Sequence, residues 1–455
     1  MSKRIHVVTL GCPKNTVDSE EMMGLLRARG HLVGDALEEA DVYIVNTCAF
    51  IDAAKEESVE AILELAQLKS EHPEKRLIVA GCLAQRYAQE LAQELPEVDA
   101  FVGTSEFRHI ADVVDAVVAS PSEGVSAAPR PPIVRVSSPA YQYTQPLPRV
   151  ALTPWHYAYL KIAEGCDHKC TFCAIPSFRG RYISRPIEVL EQQARAYAAA
   201  GVKELILISQ DTTWYGRDRS GRCQLPELIR RLARIEGIEW IRMLYLYPSL
   251  IEEPLLEVFA EEPKVVPYLD VPFQHIDETV LRRMGRGTRE SFLRELVPRL
   301  REQIPGLALR TSFIVGFPGE TEAAFEKLLD FIVESQFDHL GVFRYSPEEG
   351  TPSAEWAEQV PDAIKEQRFF EVVAVQTELS RELRRRWIGR EVRVLVDGKD
   401  PETGVAVGRM ATQAPEIDDV VYLDRSDVKA GAFVRARIVQ AEEFDLFAEV
   451  LGDES

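Results

Sequence analysis

The segment Glu164-Gly165-Cys166-Asp167-His168-Lys169-Cys170-Thr171-Phe172-Cys173 places three cysteines within eight residues, directly after the apolar strand candidate Tyr159 to Ala163. Three thiolates on one short loop can converge on one metal centre. Thiolates favour soft or borderline ions and iron–sulfur clusters, and a four-iron cluster normally takes four cysteines, so three leave one iron open to an exogenous molecule. An open iron is a chemical site. A zinc knuckle completed by His168 or by a distant ligand has the same local spacing and stands as the alternative.

Upstream, Cys12 follows the strand candidate Ile5 to Leu10, Cys48 follows Val42 to Asn46, and Cys82 follows Leu77 to Gly81. Helix-like segments, Ser19 to Arg29 and Ala53 to Leu68, alternate with these strands, which predicts a parallel α/β sheet. Carboxyl ends of parallel strands open on one side of a sheet, so cysteines distant in sequence would meet there. A second three-thiolate site is the economical inference; the alternative is three small buried hydrophobes. The seventh cysteine, Cys223, lies in a polar loop without a cysteine neighbour at metal spacing and reads as a bystander. An odd count in a long chain disfavours a disulfide framework.

Downstream of the first cysteine segment, strand candidates continue at Glu204 to Ser209, Trp240 to Leu246, Val266 to Val271, Leu307 to Val315 and His339 to Tyr345. With intervening helices at Ile187 to Ala200, Leu225 to Ile235, Ser291 to Gln303 and Glu322 to Ser335, they predict a partial (β/α) barrel. A long amphipathic helix, Ala363 to Arg386, leaves it. From Gly389, five short alternating stretches between Glu391 and Leu451 predict a small β-barrel. The 455 residues thus divide into an amino-terminal α/β domain (1–120), a proline-rich linker (121–151), the partial barrel (152–385) and the tail (386–455), with eight of the 27 prolines between Pro121 and Pro154. That count matches the domain number expected from length. We find no internal repeat and no low-complexity tract outside the linker.

The formal charge is −20, and 46% of residues are apolar, as in a globular protein with sizeable cores. Such a field repels phosphate backbones and anionic membrane surfaces and favours basic partners. The opening residues lack an apolar stretch of secretory length, and no run approaches 18 apolar residues, so the expected setting is the cytoplasm, with no membrane association.

On these residues the chain resembles the radical S-adenosylmethionine (SAM) methylthiotransferase family. Cys166, Cys170 and Cys173 match its Cys-x-x-x-Cys-x-Φ-Cys motif with Phe172 in the aromatic slot. Cys12, Cys48 and Cys82 match its amino-terminal domain, and the tail resembles its TRAM domain. Gly11-Cys-Pro-Lys-Asn-Thr-Val-Asp-Ser-Glu20, Ser209-Gln-Asp-Thr-Thr-Trp-Tyr-Gly216, Tyr345-Ser-Pro-Glu-Glu-Gly350 and Ala414-Pro-Glu-Ile-Asp418 look like the RimO-like branch, which modifies an aspartate of protein twelve of the small ribosomal subunit. Asp167, where Asn is the commoner residue, is a minor departure. The alternative branch is MiaB-like and modifies a transfer RNA adenosine.

The resemblance implies two 4Fe-4S clusters on the six cysteines. It also implies SAM used twice, as methyl donor and as radical source, and an electron donor such as a flavodoxin or ferredoxin. A monomer is expected.

Charge separates the branches independently. Residues 386–455 carry 9 basic and 15 acidic residues, net −6, and residues 1–120 carry 11 and 21, net −10. A tail that grips RNA should present a basic face, so a basic ribosomal protein is the expected partner; acidity that merely aids solubility is the alternative.

Strand-end position makes Gln210 and Asp211, Gln274 and His275, and Gly316 with Gly319 candidates for SAM or substrate contact, with Gln210, Gln274 and Gly316 foremost. His275 reads equally as a satisfied structural histidine, and Tyr245 and Tyr247 read as packing. The Arg381 to Arg386 block reads as a solvated helix face that can also meet ribosomal RNA.

Overall fold

The protein was analysed as a computed structural model that describes residues 2–34, 36–119, 131–141 and 145–453. Parts of the proline-rich linker, 120–130 and 142–144, lie outside the described residues.

The amino-terminal domain contains β1 (Arg4–Thr9), α1 (Pro13–Ala28), β2 (Leu32–Val33), β3 (Val42–Thr47), α2 (Asp52–Glu71), β4 (Arg76–Gly81), α3 (Cys82–Glu94), β5 (Ala100–Val102), α4 (Ile110–Ala119) and β6 (Ile133–Arg135). Its six strands are all parallel, in the order β2-β1-β3-β4-β5-β6. Strands β3 and β4 are buried along their whole length, as their unbroken apolar runs require between two helix layers. The three predicted strands form the centre of the sheet. Strands β2, β5 and β6 were not predicted, being only two or three residues long, and β6 lies within the segment read as linker.

Helix α1 begins at Pro13, not at the predicted Ser19. Cys12 holds the extended N-cap position, and Pro13 presets the first helical turn. The early start was hidden because α1 buries Lys14, Asn15, Asp18, Ser19, Glu20 and Glu21 instead of an apolar stripe.

The central domain is an open sheet of six parallel strands: β7 (Tyr157–Lys161), β10 (Glu204–Ile208), β11 (Trp240–Met243), β12 (Val265–Asp270), β13 (Ala308–Val315) and β14 (His339–Arg344). Between β7 and β10, a short antiparallel pair, β8 (Ala163–Glu164) and β9 (Ile183–Ser184), closes the ends of the cysteine segment on each other. Alternation divides each strand's neighbours. Leu160, Leu205, Leu207, Ile241 and Leu269 face the helices, whereas Tyr157, Tyr159, Tyr268 and Ile206 face inward with residues of the tail.

The tail is a closed barrel of β15 (Glu391–Lys399), β16 (Ala406–Met410), β17 (Val421–Leu423), β18 (Phe433–Ala441) and β19 (Leu446–Asp453), in the order β15-β16-β17-β19-β18. Its loop from Ala411 to Asp419 seals the amino-terminal end of the central sheet. Glu416, at φ 68°, accepts hydrogen bonds from the Tyr157 and Tyr159 hydroxyls at 2.9 and 3.1 Å, and Asp418 accepts from the Tyr268 hydroxyl and Arg310, each at 2.8 Å. Beneath the loop, Arg409 bridges Glu204 at 2.8 Å and Asp397 at 2.7 Å, while Arg242 meets Glu204 at 2.7 Å.

Candidate active site

Cys166, Cys170 and Cys173 lie on the loop between β8 and the short helix α5 (Ile175–Arg179). Gly165 opens this loop at φ 75°, and a Cβ there would fall 2.0 Å from the Arg181 carbonyl oxygen, so only glycine lets the two ends of the segment touch. Thr171 pins the outer side: its amide donates to the Met284 carbonyl at 3.0 Å and its hydroxyl to that of Arg283 at 2.8 Å. Burial pushes the Cys166 thiol up to about 12 and that of Cys173 up as well, and each feels the charge of Cys170.

Cys12, Cys48 and Cys82 come together at the carboxyl ends of β1, β3 and β4. A Cβ on Gly11, at φ 89°, would lie 2.8 Å from the Cys48 Cβ. The Cys82 thiol reaches Asn15 Oδ1 at 3.7 Å, three residues beyond Cys12. Burial raises Cys48 and takes Cys82 up to about 12, and both sense Cys12. Cys12 caps α1 and Cys82 opens α3, so two of the three thiols stand at helix amino termini, whose exposed N–H groups favour an anionic group.

Both sets fit iron–sulfur clusters by their donors. Each offers three thiols, and among the described residues no three Cys, His, Asp or Glu side chains close around one ion. His168, the nearby candidate for a fourth ligand, is held by the Nε2 hydrogen bond to Asp211 at 2.6 Å and by stacking of its ring on Tyr247 at 4.0 Å.

The two cysteine sets face each other across a buried ionic network. Arg179, at the end of α5, reaches Asp18 at 2.7 Å and Glu164 at 3.2 Å and donates to Asn15 Oδ1. Lys161, the last residue of β7, pairs with Glu164 at 2.6 Å and with Asp18. Burial pushes Glu164 up, but Lys161 and Arg179 outweigh it and hold the carboxyl at about 2. Nearby, Arg185 meets Glu21 at 2.7 Å, and Glu348 receives Lys55 at 3.0 Å and Arg86 at 3.2 Å. The sequence reading gave these residues no role, although Asn15, Asp18, Glu164 and Glu348 lie in the stretches it quoted.

The remaining candidates differ in their surroundings. Gln210 sits at the mouth, donating to Glu164 at 3.0 Å, and its buried Oε1 has no partner among the described residues. Gln274 adopts φ 70°, its amide donating to the Ser312 carbonyl and its own carbonyl accepting from Ile314, both at 2.8 Å. A non-glycine residue held there is strained, as is Tyr245 at φ 62°. Gly316 is approached closely by the Lys365 side chain, a Cβ falling 2.3 Å from its Cγ, and its amide donates to Glu320. Gly319 likewise faces the Arg283 guanidinium. His275 is the structural histidine: fully buried, it meets Glu320 at 3.1 Å and accepts from the Asp277 amide at 3.0 Å. Within the Arg381 to Arg386 block, Arg384 is buried against Asp419 at 2.7 Å, so that block is not wholly a solvated face. The thiol of Cys223 donates to the Thr213 carbonyl at 3.3 Å, away from both sets.

Comparison with known proteins agrees with this three-part architecture. A family model described as "Uncharacterized protein family UPF0004" matches residues 4–103, that of the radical SAM superfamily 160–332, and that of the TRAM domain 388–451. Among solved structures, the radical SAM methyltransferase TsrM from Kitasatospora setae superposes with a TM-score of 0.54 at 15% identity, covering 78% of this chain and 77% of that one. The cobalamin-dependent radical enzyme OxsB gives 0.53 at 13% identity, covering 82% and 56%. These two likenesses concern the fold.

"Ribosomal protein uS12 methylthiotransferase RimO" from Anaeromyxobacter sp. (strain K) is 49% identical over 452 residues, 99% of this chain and 94% of that one. The protein of the same name from Geobacter sulfurreducens is 46% identical over 450 residues, 99% of each. At that identity over essentially the whole length, the chain belongs to the RimO family of radical SAM methylthiotransferases.

Proposed function

We propose that this protein adds a methylthio group to the β-carbon of an aspartate of ribosomal protein uS12. The observation that carries the reading is the contact of Arg179 with Asn15 and Asp18, which holds the Cys166 loop against the Cys12 loop. Sulfur insertion at an unactivated carbon needs a radical source and a sulfur source on either side of one substrate atom.

Cys166, Cys170 and Cys173 would hold one 4Fe-4S cluster, and Cys12, Cys48 and Cys82 a second. When bound, the clusters and SAM supply a hydrogen-abstracting radical, the sulfur and the methyl group, chemistry that belongs to the cofactors. The chain's own residues position and shield. Arg179 and Arg286 place positive charge beside Cys82 and Cys173 respectively and so offset the negative charge of thiolate-bound clusters. Gln210 Oε1, buried and unpaired, suits a donor group of SAM; Gln274 and Gly316 complete the candidate SAM contacts. His168 on the Cys166 loop packs against Tyr247 and Trp214 with stacked and edge-on rings, which shields one side of a site where a radical must not be quenched.

The relatives' name favours uS12 over transfer RNA, and the acidity of residues 1–120 and 386–455 supports a basic protein partner. Among the described residues, no helix is long and apolar enough to cross a membrane. A cytoplasmic monomer reduced by a flavodoxin or ferredoxin completes the proposal, with domains at 1–120, 152–385 and 386–455. The test is mass spectrometry of small-subunit proteins from cells lacking the gene. uS12 should lose one methylthio increment, and unchanged uS12 with an altered anticodon-loop adenosine would move the assignment to transfer RNA.

A further inference from the structure

A substrate aspartate carries a carboxylate into a buried cleft, where an anion without a cationic partner is costly. Lys14 supplies a cation of the required kind. It is 8% exposed, follows Cys12 by two residues in the first turn of α1, and holds its ammonium 3.3 Å from the centroid of the Tyr245 ring. Among the described residues no carboxylate pairs with it, because the neighbouring acids are engaged elsewhere. Asp18 serves Lys161 and Arg179, Glu20 serves Arg149, and Glu21 serves Arg185. Asp270, on the barrel side, accepts the Tyr245 amide at 3.0 Å and faces Arg310 at 3.9 Å.

The location is equally specific. Lys14, two residues after Cys12, lies over Tyr245, and Tyr247, two residues on, stacks on His168 of the Cys166 loop at 4.0 Å. Lys14 therefore stands in the wall between the two cysteine sets, where the carbon that receives sulfur must lie. Arg179 is already balanced by two carboxylates. Arg286, another cation at the mouth with no carboxylate pair among the described residues, donates to the Pro272 carbonyl at 2.6 Å and lies over Tyr247 on the Cys170 side.

We infer that Lys14 binds the side-chain carboxylate of the substrate aspartate and selects it over a neutral side chain of the same shape. This rests on the proposed function and names the residue that gives it specificity. The buried ammonium has the Tyr245 phenol and the Cys12 thiol as neighbours but no carboxylate in salt-bridge contact among the described residues, and the substrate carboxylate completes the pair.

The test uses the full chain reconstituted with iron and sulfide, with SAM but no reductant. Its affinity is measured for uS12 carrying Asp or Asn at the modified position. The wild type should bind the Asp form about 30-fold or more tightly than the Asn form. Lys14→Met should bind both forms equally at the weaker level, with KM raised in turnover, iron content unchanged and uncoupled SAM cleavage retained. Lys14→Arg, which keeps the charge, should restore part of the preference. Retention of the Asp preference by Lys14→Met overturns the inference. So does a changed spectrum or potential of the Cys12 cluster with substrate preference intact, which makes Lys14 a cluster residue. A wild type that binds uS12 yet never methylthiolates it defeats the proposed function, and the inference with it; a wild type that works while Lys14→Met still discriminates defeats the inference alone.

Discussion

The two ends of the central sheet are both closed by buried ionic networks, yet the networks are built differently. At the amino-terminal end, Arg409, Arg242, Arg310 and Arg384 each face a carboxylate, and the Tyr157, Tyr159 and Tyr268 hydroxyls donate to Glu416 and Asp418. At the carboxyl end, Arg179 and Lys161 are paired with carboxylates, but among the described residues Lys14 is not. A balanced network holds domains together. An unbalanced one is arranged for something that arrives later, and it lies where all six candidate ligand cysteines converge.

The largest expected effects separate the two cysteine sets at the mouth. Cys170→Ala should abolish both SAM cleavage, read as 5′-deoxyadenosine, and methylthiolation. Cys48→Ala should spare cleavage and abolish only methylthiolation. Full product from both variants would break the two-cluster reading.

Next come the two central arginines. Arg179→Met and Arg409→Met each leave buried carboxylates without their cation, and each should lower stability by about 3–5 kcal/mol in denaturant unfolding. Their functional outcomes should differ. Arg179→Met should lose methylthiolation while keeping SAM cleavage, and Arg409→Met should keep both at temperatures where it stays folded. Equal loss of product from both would show that the ends are not functionally distinct.

The smallest effects are in pH. Glu164 is held at about 2, below its usual 4.5, so its contribution is present above pH 4.5 and is lost as pH falls toward 2. His339 is pushed down by burial but raised overall by Asp418 and Asp419, so its contribution is full below 6.5 and is lost as pH rises through the raised value. Unfolding midpoints across pH should therefore show Glu164→Gln flattening the acid limb and His339→Gln the alkaline limb. The reverse pattern would mean that the ends had been exchanged.

What was legible in the sequence tracks the range of the interactions. The Cys166 loop, the strand alternation and the five-stranded tail depend on neighbours in sequence, and the structure matches them. The Cys12, Cys48 and Cys82 set was legible because parallel sheet topology turns distant strand ends into one edge. Arg179 could not be found in this way, because Asn15 and Asp18 are brought to it only by the docking of two domains. Helix α1 misled for a related reason. Its buried face is charged, so its amino terminus carries no apolar periodicity. Gly316 and Gly319 were read from strand-end position alone, which carries no sign of the Lys365 and Arg283 side chains that stand beside them.

The Ala411–Asp419 loop carries a consequence for recombining this enzyme with its relatives. Glu416 and Asp418 are matched to tyrosines more than 140 residues away in the chain, at positions 157, 159 and 268. A chimera that exchanges the tail at residue 386 transplants the carboxylates without the hydroxyls they accept from. Such hybrids should fold only when the loop and the three tyrosines travel together, which makes the tail an inherited part of the barrel and not an interchangeable attachment.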